Sequence, residues 1–256
     1  MNRSIVIAST LLISVIAYAQ TDYPEPERMR PGMSEYWLPQ PKIVTPGNIQ
    51  TNTAPSDAIV LFDGTNLSAW ESTKDKSPAN WTVNSDGSFT VNKTAGDIRT
   101  KQSFENFQLH IEWRIPKNIS GKSQARGNSG VYLQGIYEVQ VLDSYQSETY
   151  ANGQAGSIYK QSPPLVNAMR KPGEWNVYDI IYTAPIFKDD GTYRIPPQVT
   201  VLHNGVLVQN NTTILGTTEY IGFPKVQKHG PGPIVLQSHG DPSEPISFRN
   251  IWIREL

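Results

Sequence analysis

Apolar and polar residues alternate along most of the chain in short stretches, each cut off by a turn residue. Segments of this kind are Ile59 to Phe62, Trp81 to Val83, Phe89 to Val91, Phe107 to Ile115, Gly130 to Leu133 and Tyr137 to Leu142. They continue through Asn176 to Thr183, Gln198 to His203, Val206 to Gln209, Ile234 to Ser238 and Phe248 to Arg254. A period of two is the signature of strands, whose successive side chains point to opposite faces. Asp63-Gly64, Asp86-Gly87, Asp190-Gly191 and Asn204-Gly205 mark turns between them. The last, between VTVLH and VLVQ, is the strongest hairpin signal, because Asn-Gly supplies the two left-handed residues of a tight turn. No amphipathic helix of ten or more residues interrupts the series. About a dozen short strands predict one all-β unit, residues 58–256, built as a two-sheet sandwich or jelly roll.

Two stretches precede that unit. Residues 1–19 carry Arg3, an apolar run from Ile5 to Ala17 too short to span a bilayer, and a terminal Ala17-Tyr18-Ala19. Small residues at the first and third of those positions fit a signal-peptidase site, so the mature chain is expected to begin at Gln20. Residues 20–57 are rich in Pro, Glu and Gln, hold the aromatic pair Tyr36-Trp37, and read as an extended arm that either wraps the domain or tethers it. No later segment is apolar enough to span a membrane.

Composition then excludes more than it names. With 22 Lys plus Arg against 23 Asp plus Glu and no basic cluster, the chain lacks the charge signature of a nucleic-acid binder. The absence of cysteine rules out a disulfide scaffold, a thiolate metal site and a cysteine nucleophile together. Export without cysteine suits a bacterial periplasm, with the extracellular space as the alternative.

The candidate chemistry lies on the polar faces of three strands. On Phe107 to Ile115, Gln108, His110, Glu112 and Arg114 share one face, spaced about 7 Å apart. The stripe looks functional, but a solvated, salt-bridged face explains it too, and from this strand alone that plainer reading is preferred. On Tyr137 to Leu142, Glu138 and Gln140 share a face, and a bulge near Leu142 would swing Asp143 beside them; without it, Asp143 turns to the core side or caps the strand. On Ile234 to Ser238 and its continuation, Gln237 and His239 share a face. If the three faces form one concave surface, it suits a small carbohydrate, with carboxylates and amides for hydroxyls and aromatic residues for sugar rings. Asn128, Tyr159 and Lys160 stand in adjoining loops that could reach it, although a loop lysine is commonly just solvated, and His203 before its turn is either a turn residue or a catalytic one.

No Gly-x-Ser-x-Gly elbow, His-Glu-x-x-His motif or phosphate-binding glycine loop is present. A divalent cation held by carboxylates, His239 and carbonyls stays open as the one cofactor, without a spacing signature. What survives is carboxylate and histidine acid–base chemistry on a sugar.

The strings IVLFDGTNLSAW, GDIRTKQSFENFQLHIEWRIP, GNSGVYLQGIYEVQVLDSY, GSIYKQSPPLVNAMRKPGEWNVYDIIYTAPIF, VTVLHNGVLVQNN and GPIVLQSHGDPSEPISFRNIWIREL occur in order through residues 58–256. They closely resemble the 3-keto-disaccharide hydrolase family. The resemblance implies a concanavalin A-like lectin/glucanase fold, a jelly-roll sandwich of two antiparallel sheets with a concave substrate face. It further implies cleavage of 3-keto-glycosides by 3-keto-glucoside 1,2-lyase and 3-keto-2-hydroxyglucal hydratase steps, with net hydrolysis as the outcome. On the matching positions we expect Glu138 and His239 as the acid–base pair, with Glu112 sharing that role or binding a divalent ion. Arg114, Lys160, Asn128 and Gln237 are the candidates for the ketone and hydroxyls, with His110, Gln140, Asp143 and Tyr159 as further substrate contacts.

Two other functions compete. A retaining β-glucanase on the same fold would carry Glu-x-Asp-x-x-Glu on a bulged strand; here Gln140 replaces the middle acid and Asp143 the last. A non-catalytic sugar-binding module would need only the aromatic and polar groove.

Overall fold

The computed structural model describes residues 26–48, 51 and 53–256; the export signal expected at residues 1–19 lies outside them. Two compact units divide the chain, the second being Val44–Leu256. In the first, Pro31–Ser34 form a single 3-10 turn, and Tyr36 and Trp37 are exposed. Among the described residues no helix is long and apolar enough to cross a membrane.

Among its described residues the second unit contains fifteen strands. They are β1 (Ile59–Phe62), β2 (Trp70–Ser72), β3 (Thr82–Val83), β4 (Phe89–Thr90), β5 (Ile98–Thr100), β6 (Phe107–Arg114), β7 (Asn128–Leu133) and β8 (Tyr137–Leu142). After them come β9 (Trp175–Thr183), β10 (Ile186–Phe187), β11 (Tyr193–Ile195), β12 (Gln198–His203), β13 (Val206–Thr213), β14 (Val235–Leu236) and β15 (Ser247–Glu255). Eleven match the segments that alternation predicts. The other four, β2, β5, β10 and β11, are two or three residues long and too short to show a period.

An eight-stranded sheet runs β13-β12-β9-β6-β15-β4-β3, with β1 also on β15, and a five-stranded sheet runs β2-β5-β14-β7-β8. Every pairing within these sheets is antiparallel. The small ribbon β10-β11 stands apart. Asn204 and Gly205, at φ 54° and 79°, make the predicted β12–β13 turn with both central residues left-handed.

The core lies between the two sheets. Leu109, Ile111 and Trp113 of β6 are fully buried from one side; Val131, Leu133, Val139, Val141 and Leu236 of β7, β8 and β14 meet them from the other. One end is aromatic, with Phe62 edge-on to Phe89 at 4.7 Å and Trp81 stacked on Phe248 at 6.2 Å. This is the all-β jelly-roll sandwich that the alternation predicts. His203 belongs to this interior: it stacks on Trp113 at 5.6 Å, and Nε2 meets Asn176 Oδ1 at 3.0 Å. Burial, with help from the Arg170 charge, pushes its pKa down to about 3, so it is a neutral packing residue.

Because both sheets spend their apolar faces on this core, their polar faces point to opposite sides of the sandwich. That geometry decides which of the three polar stripes can cooperate.

Candidate active site

Three neighbouring strands of the five-stranded sheet, β14, β7 and β8, supply the floor of a polar cavity of about 420 Å³. Its lining includes Asn128, Gln140, Tyr159, Gln237 and His239 around Glu138. Alternation puts Glu138 and Gln140 on the outer face because Tyr137, Val139 and Val141 fill the core. Tyr132 is directly opposite Glu138, and Gly130 opposite Gln140. The β14 strand continues as Gln237, whose backbone N–H donates to Gly130 O at 3.0 Å.

Gly130 is required for space. A Cβ there would collide with the Glu138 carboxyl, at 2.9 Å from its Cδ, and with the Tyr132 ring, also at 2.9 Å. The bare backbone is the seat over which the Glu138 side chain leans.

Glu138 is 3% exposed. The Tyr132 hydroxyl donates to its Oε2 at 3.0 Å, and Gln237 Nε2 donates to the Tyr132 oxygen at 3.1 Å. Its other oxygen, Oε1, has no protein partner among the described residues. Burial pushes its pKa up to about 8; the Tyr132 hydrogen bond opposes the rise and the nearby Asp97 charge adds to it. Glu138 therefore exchanges a proton near neutrality. Burial, reinforced by the Glu138 charge, drives the Tyr132 phenol well above its ordinary value, so it serves as a neutral donor.

His239 is about one-third exposed. The Asp241 N–H donates to its Nδ1 at 3.1 Å, which in the neutral ring puts the proton on Nε2. Asp241 Oδ2 lies 3.3 Å from the same nitrogen, placed to steady the ring when it is charged. Burial pushes the Asp241 carboxyl up, but hydrogen bonds from His239, Ser243 and Lys93 outweigh it and hold the pKa at about 2.

The amides supply acceptors. Gln140 Oε1 and Gln237 Oε1 are buried acceptors with no hydrogen-bond partner among the described residues. Gln140 Nε2 and Asn128 Nδ2 are tied to Gln124, at 3.0 Å to its Oε1 and 2.8 Å to its backbone oxygen respectively. Tyr159 forms a wall, its hydroxyl 2.6 Å from that of Tyr150.

Several expectations need correction. His110, Glu112 and Arg114 sit on β6 in the eight-stranded sheet, on the far side of the sandwich, and do not share the cavity. There they form a surface network. His110 Nδ1 meets Asp179 Oδ1 at 2.7 Å, Arg249 Nε donates to Glu112 Oε2 at 2.7 Å, and Arg114 lies over the Trp175 ring at 4.3 Å. Burial opposes charge on both His110 and Glu112. The hydrogen bond to Asp179 and the approach of Glu112 nevertheless raise His110 to about 9. His110, Asn250 and Arg249 bring Glu112 down to about 2. Asn250 also donates to Glu112 Oε1 at 2.8 Å, so each carboxylate oxygen accepts a hydrogen bond within this network. Among the described residues no three His, Asp or Glu side chains are placed to hold a metal ion.

Asp143 also falls outside. The β7–β8 register runs without a bulge, so Asp143 keeps the core-side parity, is fully buried, and accepts from Arg126 Nε at 2.6 Å. Lys160 lines the recess outside the cavity and donates to the Tyr220 carbonyl.

Sequence reasoning missed Tyr132, Thr218 and Tyr220. Tyr132 shares the parity of Asn128 and Gly130 and could have been found by extending the alternation of β7. Thr218 accepts the Glu138 N–H through Oγ1 at 2.9 Å, yet it and Tyr220 come from an irregular loop with no pattern to follow.

An antiparallel jelly roll thus carries a buried carboxyl and a histidine in one amide-lined cavity on a sheet face. Residues 57–254 match the family described as 3-keto-alpha-glucoside-1,2-lyase-like domain, and the chain belongs to that family. A 3-keto-disaccharide hydrolase of Bacteroides thetaiotaomicron is 26% identical, over 79% of this chain and 80% of that protein. A crystal structure from Parabacteroides distasonis, of a protein described provisionally as a glycosyl hydrolase, is 70% identical with a TM-score of 0.86, covering 89% of this chain and 97% of that one. A second protein of that organism, with the same provisional description, shares the fold at 21% identity and a TM-score of 0.57, over 78% of this chain and 94% of its own.

Proposed function

We propose that the protein cleaves the glycosidic bond of 3-keto-glucosides by elimination followed by return of water. The observation that carries this reading is Glu138, a buried carboxyl whose pKa near 8 suits it to remove a carbon-bound proton, in the same cavity as His239. A ketone at C3 acidifies the C2 proton. Glu138 takes that proton, the C2–H electron pair forms the enolate, and the enolate expels the C1 substituent. The C1–O electron pair leaves with the aglycone oxygen, which takes a proton from His239 Nε2. Water then adds at C1 while the proton returns to C2, so the sum is hydrolysis. Tyr132, Gln237 and Gln140 hold the base and receive the sugar hydroxyls.

The family match and the 3-keto-disaccharide hydrolase relative support the substrate class. A retaining glucanase would use two carboxyls at one sugar. Among the described residues Glu138 is the single carboxylate lining this cavity, with Gln140 at the middle position and Asp143 paired to Arg126. A pure binding module would have no use for a buried carboxyl with a raised pKa.

Purified protein offered 3-keto-trehalose, 3-keto-lactose and laminarin in parallel distinguishes the three. We expect turnover of the ketosugars only, lost in Glu138→Gln and His239→Ala with the fold intact. Glucan cleavage, or binding without turnover, would overturn the assignment.

The same reading makes residues 1–19 an export signal and residues 20–57 an arm before the domain, and places the mature protein in a bacterial periplasm or outside the cell. N-terminal sequencing of exported protein should begin at Gln20; retention of Met1 would refute it.

A further inference from the structure

The cavity over Glu138 continues beyond its mouth. Tyr159, Tyr220 and His239 also line an adjoining recess of about 370 Å³, and Tyr150 and Lys160 carry that recess into a shallower one of about 440 Å³ bounded by Phe223 and Pro224. The three form one groove that runs outward from the base, walled by tyrosines and ending on phenylalanine.

The loop that supplies the outer wall is fastened at its root and apolar at its tip. Thr217 N–H donates to Lys225 O at 2.9 Å, Lys225 pairs with Glu219 at 3.4 Å, and Thr218 N–H donates to Ile136 O at 2.9 Å. Since Thr218 also receives the Glu138 N–H, the root is bonded to the strand that carries the proposed base. The tip nevertheless exposes Tyr220 at 75%, Ile221 at 81% and Phe223 at 88%. Large apolar side chains clustered in water beside a groove mark a surface that something apolar covers.

The groove's chemistry selects among occupants. Its outer part offers few polar side chains, chiefly Asn152 and Lys160. The Lys160 ammonium already donates to the Tyr220 carbonyl and sits 4.6 Å from the Tyr220 ring and 5.5 Å from that of Tyr159. A second hexose would keep Gln124 and Asp241 within reach in the middle recess, but in the outermost one it would meet fewer hydrogen-bonding side chains than over Glu138. A flat aromatic ring would bury its faces on the tyrosines and Phe223 and bring its oxygen toward the ammonium.

We infer that this groove is the leaving-group subsite, and that the preferred substrates are 3-keto-glucosides of aromatic alcohols. The inference rests on the proposed cleavage of 3-keto-glucosides. In that step the C2 proton goes to Glu138, the C1–O bond breaks, and its electron pair departs on the phenolic oxygen, as phenolate or with a proton from His239.

The test compares kcat/KM for methyl 3-keto-glucoside, 2-naphthyl 3-keto-glucoside and a 3-keto-disaccharide. Wild type should favour the naphthyl compound over the methyl one by about tenfold through KM, and Phe223→Ala should collapse that ratio towards one. A merely structural defect would lower both rates and keep the ratio. Equal rates for the three in wild type, a preference for the disaccharide, or an unchanged ratio in Phe223→Ala would overturn the inference. If no ketosugar reacts, the proposed activity fails by itself. The groove is then judged by calorimetry with unoxidised naphthyl and methyl glucosides: tighter naphthyl binding that Phe223→Ala abolishes supports an aromatic subsite, and equal binding overturns it.

Discussion

The phenol of Tyr132 and the carboxyl of Glu138 stand at directly opposed positions of β7 and β8, joined by a 3.0 Å hydrogen bond from the hydroxyl to Oε2. The bond pulls against burial, which alone would hold Glu138 protonated over a still wider range. The pair sets how basic the proposed base is at a given pH.

With Glu138 as base, kcat/KM on a 3-keto-glucoside should have a rising limb with its midpoint at about pH 8, because only the ionised carboxylate accepts a proton. Glu138→Gln should cost on the order of 10²- to 10⁴-fold in rate with an unchanged circular dichroism spectrum. A profile that falls through pH 8 would make Glu138 the acid instead.

Tyr132→Phe removes the hydrogen bond that lowers the Glu138 pKa, so the rising limb should move to higher pH while the plateau rate changes less. The readout is the midpoint of the pH–rate curve. An unmoved midpoint would show that the phenol does not tune the carboxyl.

At Gly130 an added methyl would meet the Glu138 carboxyl and the Tyr132 ring together. Gly130→Ala should destabilise the fold by about 1–3 kcal/mol, seen in urea unfolding, and should lower activity more than a stability loss of that size explains. Full activity in a stable variant would contradict the seat assigned to this glycine.

On the opposite sheet, His110 holds its proton more tightly folded than unfolded, with a pKa raised from 6.5 to about 9. Its contribution to stability is full below pH 6.5 and lost as pH rises through 9. His110→Gln should lower Tm at pH 6, and the deficit should shrink toward pH 9.5, while kcat/KM on ketosugars stays at the wild-type value. Loss of activity at constant stability would bring β6 back into the site.

Alternation revealed the longer strands, and within β8 and after β14 it placed Glu138, Gln140, Gln237 and His239 correctly on shared faces. It misled at His110, Glu112 and Arg114 for a definite reason. A period of two says which residues of one strand look the same way, but it does not say which sheet the strand joins. Partnership of β6 with β9 and β15 rather than β7 is set by long-range pairing that the local pattern does not encode. The short strands β2 and β5 escaped because three residues carry no period. Thr218 and Tyr220 escaped because an irregular loop has none.

The root of the loop at residues 217–225 and its tip answer to different demands. Thr217 and Thr218 bind backbone and fix where the loop stands, and Tyr220 holds Lys160, whereas Ile221 through Phe223 stand largely in solvent. Ile221 through Phe223 can therefore be exchanged without disturbing the carboxyl that lies behind them, so chemistry and taste for substrate are separable by inheritance. A lineage could retune one by substitution at a few exposed positions while the other is passed on unaltered.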